Sequence, residues 1–328
     1  MNGRSGRPSV VVVGGGHGCS RSLTALGRLD VARTAVVTVA DDGGSSGRLR
    51  RDHDVVALGD LRMATLALAA DGSGDGSRAT IAALARRRFV RGELAGHSLG
   101  NLLLLGLLEE HRGDLDAALA TFGALLGVDG RVLPVTHDPV ILMAETDAGT
   151  IAGQAAVATA RRIHHVRLDP PGASLAPGVA EAVATADLVL LGPGSLYTSV
   201  LPVLLVPGMA DAMRSTSARV VLVGNLREQP GETEGMDLAD HAEALHHHVD
   251  GLRIDAVLAH ERAPGRALPT EARTPLTIDE ARLTSSVGTV VRDDLGDELD
   301  GHDPDRLAAA VERLLTDVVS SRTDRDGR

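Results

Sequence analysis

The stretch Val11–Gly18, VVVGGGHG, joins a hydrophobic run to a turn that contains four glycines. The run from Ser9 to Val13 has the unbroken β-branched pattern of a buried strand, and the glycines follow it at once. Consecutive glycines let a backbone approach a ligand closely, and the amide groups that open the next helix favour an anion. We therefore predict a strand followed by a phosphate-binding turn, in preference to a bare tight turn.

This turn matches neither of the two standard phosphate-binding fingerprints. A P-loop places a lysine and a Ser or Thr after its last glycine, and the chain contains no lysine. The dinucleotide fingerprint requires glycines at its first, third and sixth positions, but from Gly14 the sixth position is Cys19 and from Gly16 it is Arg21. A Walker ATPase and Schiff-base chemistry are therefore excluded, and an NAD site lacks its packing glycine.

Composition narrows the class of protein. The chain has 328 residues and a net charge of -11, which disfavours binding to the phosphate backbone of a nucleic acid. Only 1% of the residues are aromatic, which disfavours stacking on its bases. A single cysteine excludes a disulfide framework and a cysteine-based zinc site. No segment approaches the roughly 20 apolar residues of a membrane span. We expect a cytoplasmic protein without membrane contact.

Short β-branched runs alternate with helical patterns along the chain, and this alternation predicts an α/β fold, Rossmann-like and layered, with a mostly parallel central sheet. The predicted strands are Ser9–Val13, Ala35–Ala40, Val132–Val135, Leu188–Leu191, Arg219–Val223 and Ile254–Ala259. The predicted helices include Ala64–Ala70, Leu99–Glu110, Leu115–Leu126 and Gly178–Ala186. In such folds ligands bind outside the carboxyl ends of the strands.

One domain is expected over residues 1–319, followed by a disordered polar tail over residues 320–328. The last helix opens with a cap and a proline at Asp303-Pro304, and its apolar stripe ends at Val318. The segment Asp71–Ser77 has the composition of a flexible surface loop.

A polar run, ADDGGSSGR, follows the second predicted strand. Asp41 stands where an acidic residue holds ribose hydroxyls in Rossmann folds, and Asp41 with Asp42 could instead share a Mg²⁺ with phosphate oxygens. Gly44, Ser45 and Ser46 supply hydrogen-bond donors from backbone and hydroxyl groups. Arg48 supplies a guanidinium group, which can form two parallel hydrogen bonds to an anion. A solvated Asp-Gly turn explains only part of this run, so we favour a ligand.

Two further polar segments lie nearby in sequence. The segment GDLR contains Asp60 and Arg62. These two residues are equally well explained as a surface ion pair or helix start and as ligand-binding residues. Ser98 alone is best interpreted as a helix cap, because it precedes the apolar run from Leu102. His97 and Asn101 beside it are able to read phosphate or sugar hydroxyls.

A second glycine turn, GPGSLYTS, follows the strand that ends at Leu191. Its donors could bond phosphates or a polyol, and they include Gly192, Gly194, Ser195, Tyr197 and Thr198. Asn225 opens another polar loop after the fifth predicted strand. By contrast, the tract His246–His248 is predicted to be solvated surface, because adjacent side chains point in different directions around a helix.

Five of these segments, taken in order, resemble the YvcK-type gluconeogenesis factor family, which is related to 2-phospho-L-lactate transferase (CofD). The segments are VVTVADDGGSSGRLR, GDLR, GHSLGNLLL, GPGSLYTSVLP and NLREQPGETEG. The resemblance implies a Rossmann-like fold and a regulator that binds UDP-N-acetylglucosamine, supports cell-wall precursor supply and cell shape, and contacts an enzyme of amino-sugar synthesis. It leaves a homo-oligomer open and requires no cofactor.

The resemblance also implies which residues surround the nucleotide sugar. They are Gly15, Gly16, His17, Gly18, Asp41, Asp42, Gly44, Ser45, Ser46, Arg48, Asp60, Arg62, His97, Ser98, Asn101, Gly192, Gly194, Ser195, Tyr197, Thr198 and Asn225. An enzyme is the alternative: a transferase that moves a phospholactyl or similar group from a nucleotide donor, with Mg²⁺ on Asp41, Asp42 or Asp60. An NAD oxidoreductase retains only Asp41 in its favour.

Overall fold

A computed structural model describes residues 6–69, 76–262, 274–297 and 299–326, with side chains as far as Thr316. Its strands are β1 Ser9–Gly14, β2 Ala32–Val37, β3 Arg131–Pro134, β4 Ile141–Thr146, β5 Gly149–Ala152, β6 Ile163–Asp169, β7 Leu188–Leu191, β8 Arg219–Val223, β9 Ala256–His260, β10 Thr289–Asp293, β11 Gly296–Asp297 and β12 Gly301–His302.

Its helices lie between most of these strands. They are α1 Gly16–Leu26, α2 Gly44–His53, α3 Gly59–Leu68, α4 Gly76–Arg86, α5 Leu99–Glu110, α6 Leu115–Leu126, α7 Gln154–Val157, α8 Val179–Thr185, α9 Leu201–Leu204, α10 Met209–Ser215, α11 Leu238–His248, α12 Glu280–Ser286 and α13 Pro304–Asp326. A π-helical turn, Leu196–Val200, leads directly into α9.

Seven parallel strands form the central sheet, in the order β10-β9-β8-β7-β1-β2-β3. Helices cover both faces of such a sheet, so its strands consist of apolar residues; Val10 to Val13 of β1 are fully buried. The predicted α/β fold with a parallel sheet is confirmed. The strand order reverses between β1 and β7, and this topological switch is where parallel α/β sheets place their ligands.

A second, antiparallel sheet is inserted between β3 and β7, and the sequence analysis did not predict it. Its order is β5-β4-β6. In the second half of β6, buried Val166 and Leu168 alternate with exposed Arg167 and Asp169, a period-two signal that was available in the sequence. The tight connection from Thr146 to Gly149 joins β4 to β5.

Several predicted boundaries shift in the structure. The second strand starts at Ala32 and ends at Val37, so Asp41 lies in the loop beyond it. The helix predicted from Ala64 begins at Gly59, so the segment GDLR forms its first turn. α13 continues to Asp326, beyond the predicted start of a polar tail, because extending a formed helix carries no nucleation cost. Most of the predicted Asp71–Ser77 loop lies outside the described residues.

Within the described chain no single helix has the length and apolar composition of a membrane span. The pair Leu196–Leu204 and Met209–Ser215 reaches that composition only when joined across a bend of 78°.

Candidate functional site

The turns after β1 and β7 are in direct contact at the topological switch. A Cβ atom on Gly18 would overlap the carbonyl of Pro193 and lie 2.8 Å from Cα of Gly194. The hydroxyl of Ser22 in α1 donates to the carbonyl of Gly192 at 3.1 Å. Only glycine therefore fits at position 18, and the two predicted phosphate-binding turns form one continuous backbone surface.

Asp60 closes one side of the first turn. A Cβ atom on Gly15, the residue before α1, would lie 2.5 Å from Oδ2 of Asp60 and 2.7 Å from Cγ2 of Thr38. Asp60 is buried, and burial together with the charge of Asp41 raises the pKa of its carboxyl to about 7, although the Gly16 amide opposes this rise. This carboxyl can therefore exist in either protonation state near neutral pH.

The adjacent carboxylates of Asp41 and Asp42 point in different directions. Asp41 Oδ1 accepts from the Gly43 amide at 2.9 Å, and its Oδ2 would lie 3.3 Å from a Cβ on Gly59. Asp42 Oδ1 instead accepts from the Ala155 amide at 2.8 Å and so attaches α7, the short helix that follows β5 of the inserted sheet, to the site. Among the described residues no three His, Cys, Asp or Glu side chains form a metal-binding group.

Ser45, His97 and Asn101 form a buried hydrogen-bonded network. Asn101 Nδ2 donates to Ser45 Oγ at 3.1 Å, and Ser45 Oγ lies 3.1 Å from His97 Nδ1. Because Oγ already accepts, we assign its proton to the bond with Nδ1, which makes this histidine neutral. Burial and then the charge of Arg48 lower the pKa of His97, in agreement. Asn101 Oδ1 is buried and has no hydrogen-bond partner, which is an uncommon state for a buried acceptor.

Three predicted ligand residues instead use their donors on backbone carbonyls around this network. Arg48 donates to Ala95 O at 2.8 Å, and Arg62 contacts Ala85 O at 3.4 Å. Ser98 donates to Ala85 O at 3.2 Å and makes no side-chain cap bond, although it occupies the N-cap position of α5. The helix-cap interpretation of Ser98 is therefore wrong, because the buried carbonyl needs this hydroxyl.

The Asn225 side chain forms two hydrogen bonds with the second glycine turn. Its Oδ1 accepts from the Gly194 amide at 3.1 Å, and its Nδ2 donates to the Gly194 carbonyl at 3.0 Å. Gln229 Nε2 donates to Ser195 Oγ at 2.7 Å. Both ends of the Asn225 amide are occupied by protein, so this side chain positions the turn.

Glu232 is a site residue that the sequence analysis did not single out. It is 3% exposed, and burial raises the pKa of its carboxyl to about 7. The nearest donors are the hydroxyls of Thr198 and Ser195, but neither carboxylate oxygen makes a hydrogen bond of normal geometry. Burial, followed by the Glu232 charge, raises the pKa of Tyr197 to about 12. Its motif, GETEG, contains two glutamates, and the composition of the motif does not distinguish the buried one from the other.

His248 is not solvated surface, and that prediction is wrong for this residue. Its Nδ1 lies 2.7 Å from Ala244 O, and its Nε2 accepts from the Val166 amide at 3.0 Å. Its ring stacks on His165 at 4.8 Å and meets Tyr197 edge-on at 6.0 Å. Both nitrogens are used, so His248 joins α11 to the inserted sheet, and burial lowers its pKa to about 4.

A cavity of about 640 Å³ lies elsewhere, between α6 and β3. It borders Leu119, Arg131 and Gly178, away from β1 and β7, and none of the predicted ligand residues lines it. We therefore place the candidate site at the switch and not in this cavity.

Comparisons with known proteins identify the family to which this chain is similar. The pattern of the family described as 2-phospho-L-lactate transferase CofD matches residues 10–295. A protein of Mycobacterium tuberculosis is 45% identical over 327 residues, which cover 95% of this chain and 92% of the relative. A relative from Halalkalibacterium halodurans named gluconeogenesis factor is 39% identical over 292 residues, covering 87% of this chain and 88% of the relative. A crystal structure of a UPF0052 family member from Bacillus halodurans superposes with a TM-score of 0.84 at 36% identity, covering 93% of this chain and 98% of that one.

Proposed function

The chain belongs to the CofD family, and on this premise we propose that it is a cytoplasmic regulator of the gluconeogenesis factor type that binds UDP-N-acetylglucosamine. The observation that carries the proposal is the contact of the two glycine turns at the topological switch, with Asp41 and Asp60 beside them. A phosphate-bearing nucleotide is the ligand class that such a site accommodates.

The residues of the site divide naturally among the parts of this ligand. The diphosphate lies against the start of α1 and the Gly194 turn, where Gly16 has open space beside it. Asp41 accepts the ribose hydroxyls, and Asn101 Oδ1, which has no protein partner, accepts the amide N–H of the acetylated sugar once binding uncovers it. A carboxyl at Asp60 with a pKa of about 7 repels the diphosphate less than an ordinary aspartate does.

Only two of the three candidate magnesium ligands suit the metal. Asp41 and Asp60 lie close enough for the charge of one to raise the pKa of the other, whereas Asp42 is bonded to Ala155. As the alternative to the ribose contact, Asp41 would hold Mg²⁺ together with an ionised Asp60, and the metal would neutralise the diphosphate charge.

Regulation requires that the ligand change a surface that a partner recognises. The hydrogen bond between Asp42 and Ala155 of α7 provides such a connection, because Asp41 is the neighbour of Asp42 in the chain. The partner we propose is an enzyme of amino-sugar synthesis, whose supply of cell-wall precursors and effect on cell shape would respond to the ligand.

Ligand binding and turnover are tested separately. UDP-N-acetylglucosamine should raise the melting temperature more than NAD or GTP, with a gain of about 2.7 kcal/mol at a hundred times Kd. Equal shifts for all three would contradict UDP-sugar selectivity. The same ligand should be recovered intact after long incubation with protein and Mg²⁺.

A transferase is the second candidate function. The family description and the two buried carboxyls with pKa values of about 7, Asp60 and Glu232, favour it, because such groups can donate or accept protons at neutral pH. Release of UDP or UMP that scales with protein and is lost in Asp60→Asn would establish the enzyme and refute the regulator.

A further inference from the structure

A cavity of about 460 Å³ lies between α1, α3 and the segment that follows α4. Four arginines line it: Arg21, Arg62, Arg86 and Arg88. The hydroxyls of Ser20 and Thr24 face the same space. This volume exceeds what one phosphate needs and lies in the range of pockets for small metabolites.

The positive charge of this arginine cavity is not neutralised by the protein. Within the described residues, none of the four guanidinium groups forms an ion pair with a carboxylate; the salt bridges involve other arginines. Arg21 and Arg86 donate to the carbonyls of Asp300 and Leu66 at 3.2 and 3.1 Å. In a chain of net charge -11, such a group of unpaired cations is unexpected.

Arg62 is the most constrained of the four. It is 7% exposed, and its Nε atom has no hydrogen-bond partner. Its pKa falls to about 10, first because of burial and then because of the Arg88 charge, while Asp60 opposes the change. A buried guanidinium without a full set of acceptors is costly, and an anion in the cavity beside this group would stabilise its charge.

We propose that the arginine cavity binds a sugar phosphate as a second ligand, separate from the nucleotide sugar. Guanidinium groups recognise phosphate oxygens in pairs of parallel hydrogen bonds. Ser20 and Thr24 donate their protons to the carbonyls of Gly16 and Ser20, so their oxygen lone pairs are available to ligand hydroxyls.

The first turn of α3 separates this cavity from the nucleotide-sugar site. The Asp60 carboxyl approaches Gly15, whereas Arg62 extends to the other side, where its Cδ would lie 2.7 Å from a Cβ on Gly100. His17 at the start of α1 also borders the cavity, so the two ligands share one helix. The diphosphate of the nucleotide sugar is the alternative source of the same anionic group.

Isothermal titration at low ionic strength tests the proposal with inorganic phosphate and glucose 6-phosphate as probes. Glucose 6-phosphate should bind more tightly than phosphate. Arg86→Gln and Arg88→Gln should each weaken it about tenfold, as expected for a lost charge-assisted hydrogen bond. Both side chains are exposed, so the fold should persist. Arg51→Gln, an exposed arginine in α2 outside the cavity, is the matched control and should have no effect.

Repeating the titration with saturating UDP-N-acetylglucosamine separates the two anion sources. Continued binding of glucose 6-phosphate supports a separate site, whereas complete competition overturns it and assigns the cavity to the nucleotide diphosphate. Equal affinities in the arginine variants, or equal weakening by Arg51→Gln, also overturns it. If the nucleotide sugar fails to bind while glucose 6-phosphate binding depends on Arg86 and Arg88, the proposed function fails and this inference stands.

Discussion

The two glycine turns at the switch are built alike but supported differently. Each follows a buried strand and has a buried carboxyl with a pKa of about 7 beside it, Asp60 for the first and Glu232 for the second. The first turn opens an 11-residue helix, α1, whose N-cap Gly15 makes no side-chain cap bond. The second is held by Asn225 on both sides of Gly194. The first turn is therefore suited to receive an anion, whereas the second is suited to fix the shape of the site.

The largest expected effect concerns the contact between the turns. Gly18→Ala should lower the free energy of unfolding by about 3 kcal/mol, because backbone atoms of Pro193 and Gly194 surround the new methyl group and cannot move aside. Urea denaturation measures this change. The control, Gly106→Ala in α5, meets nothing within 4 Å and should be neutral or slightly stabilising. Equal stabilities of the two variants would show that the turns are not in contact.

The two carboxyls should make stability depend on pH. Burial raises both folded pKa values to about 7, from 3.8 for Asp60 and 4.5 for Glu232, so between these limits the folded state binds protons that the unfolded state has lost. Stability is therefore greatest at low pH in this window and falls as pH rises, by about 2 kcal/mol per group from pH 5 to 7.

Urea denaturation at several pH values measures how much each carboxyl contributes to the dependence of unfolding free energy on pH, here called the slope. The variants to compare are Asp60→Asn, Glu232→Gln and the double variant. Each single variant should lose part of the slope and the double variant most of it. A slope that persists unchanged in the double variant would assign the pH dependence to other groups.

Ligand affinity should separate the neighbouring aspartates. Asp41→Asn should weaken UDP-N-acetylglucosamine binding by about 1.5 kcal/mol, roughly tenfold, because a ligand hydroxyl loses a charged acceptor. Asp42→Asn should act less, since that carboxylate is bonded to the Ala155 amide. Titration calorimetry with and without Mg²⁺ measures both. Unchanged affinity in both variants would show that the ADDGGSSGR loop is a structural turn without a role in ligand binding.

The smallest effect is expected at the end of the chain. Truncation after Ser320 should change UDP-N-acetylglucosamine affinity less than twofold, because the residues removed continue α13 beyond the predicted apolar stripe, and the site lies at the switch. A larger loss of affinity would place the end of α13 against the ligand.

The sequence predicted the sheet better than the directions of its polar side chains. Val10 to Val13 identify a buried strand by pattern alone, and the polar motifs lie near the carboxyl ends of parallel strands, as expected. Asp41 and Asp42 are indistinguishable in sequence, yet Asp41 faces Gly59 and Asp42 bonds to α7, a short helix beside an inserted sheet that was not predicted.

The same limit applies to Glu232, whose burial depends on the packing of distant elements. Nothing local in GETEG, a motif of two glutamates, one threonine and two glycines, indicates which glutamate is buried. Side-chain direction depends on tertiary neighbours, and a single sequence does not contain that information.

The position of β1 also affects how the chain emerges from the ribosome. β1 is synthesised before the other strands that the structure describes, but it lies near the middle of the sheet, paired with β2 on one edge and with Leu188–Leu191 on the other. The Ser9 amide even bonds to Asp187 Oδ2 at 2.7 Å. More than half of the chain must therefore be translated before this valine strand is covered on both edges. During that interval the nascent chain exposes an unpaired edge of β1, which is prone to aggregation. We therefore expect a chaperone to bind the chain during its synthesis.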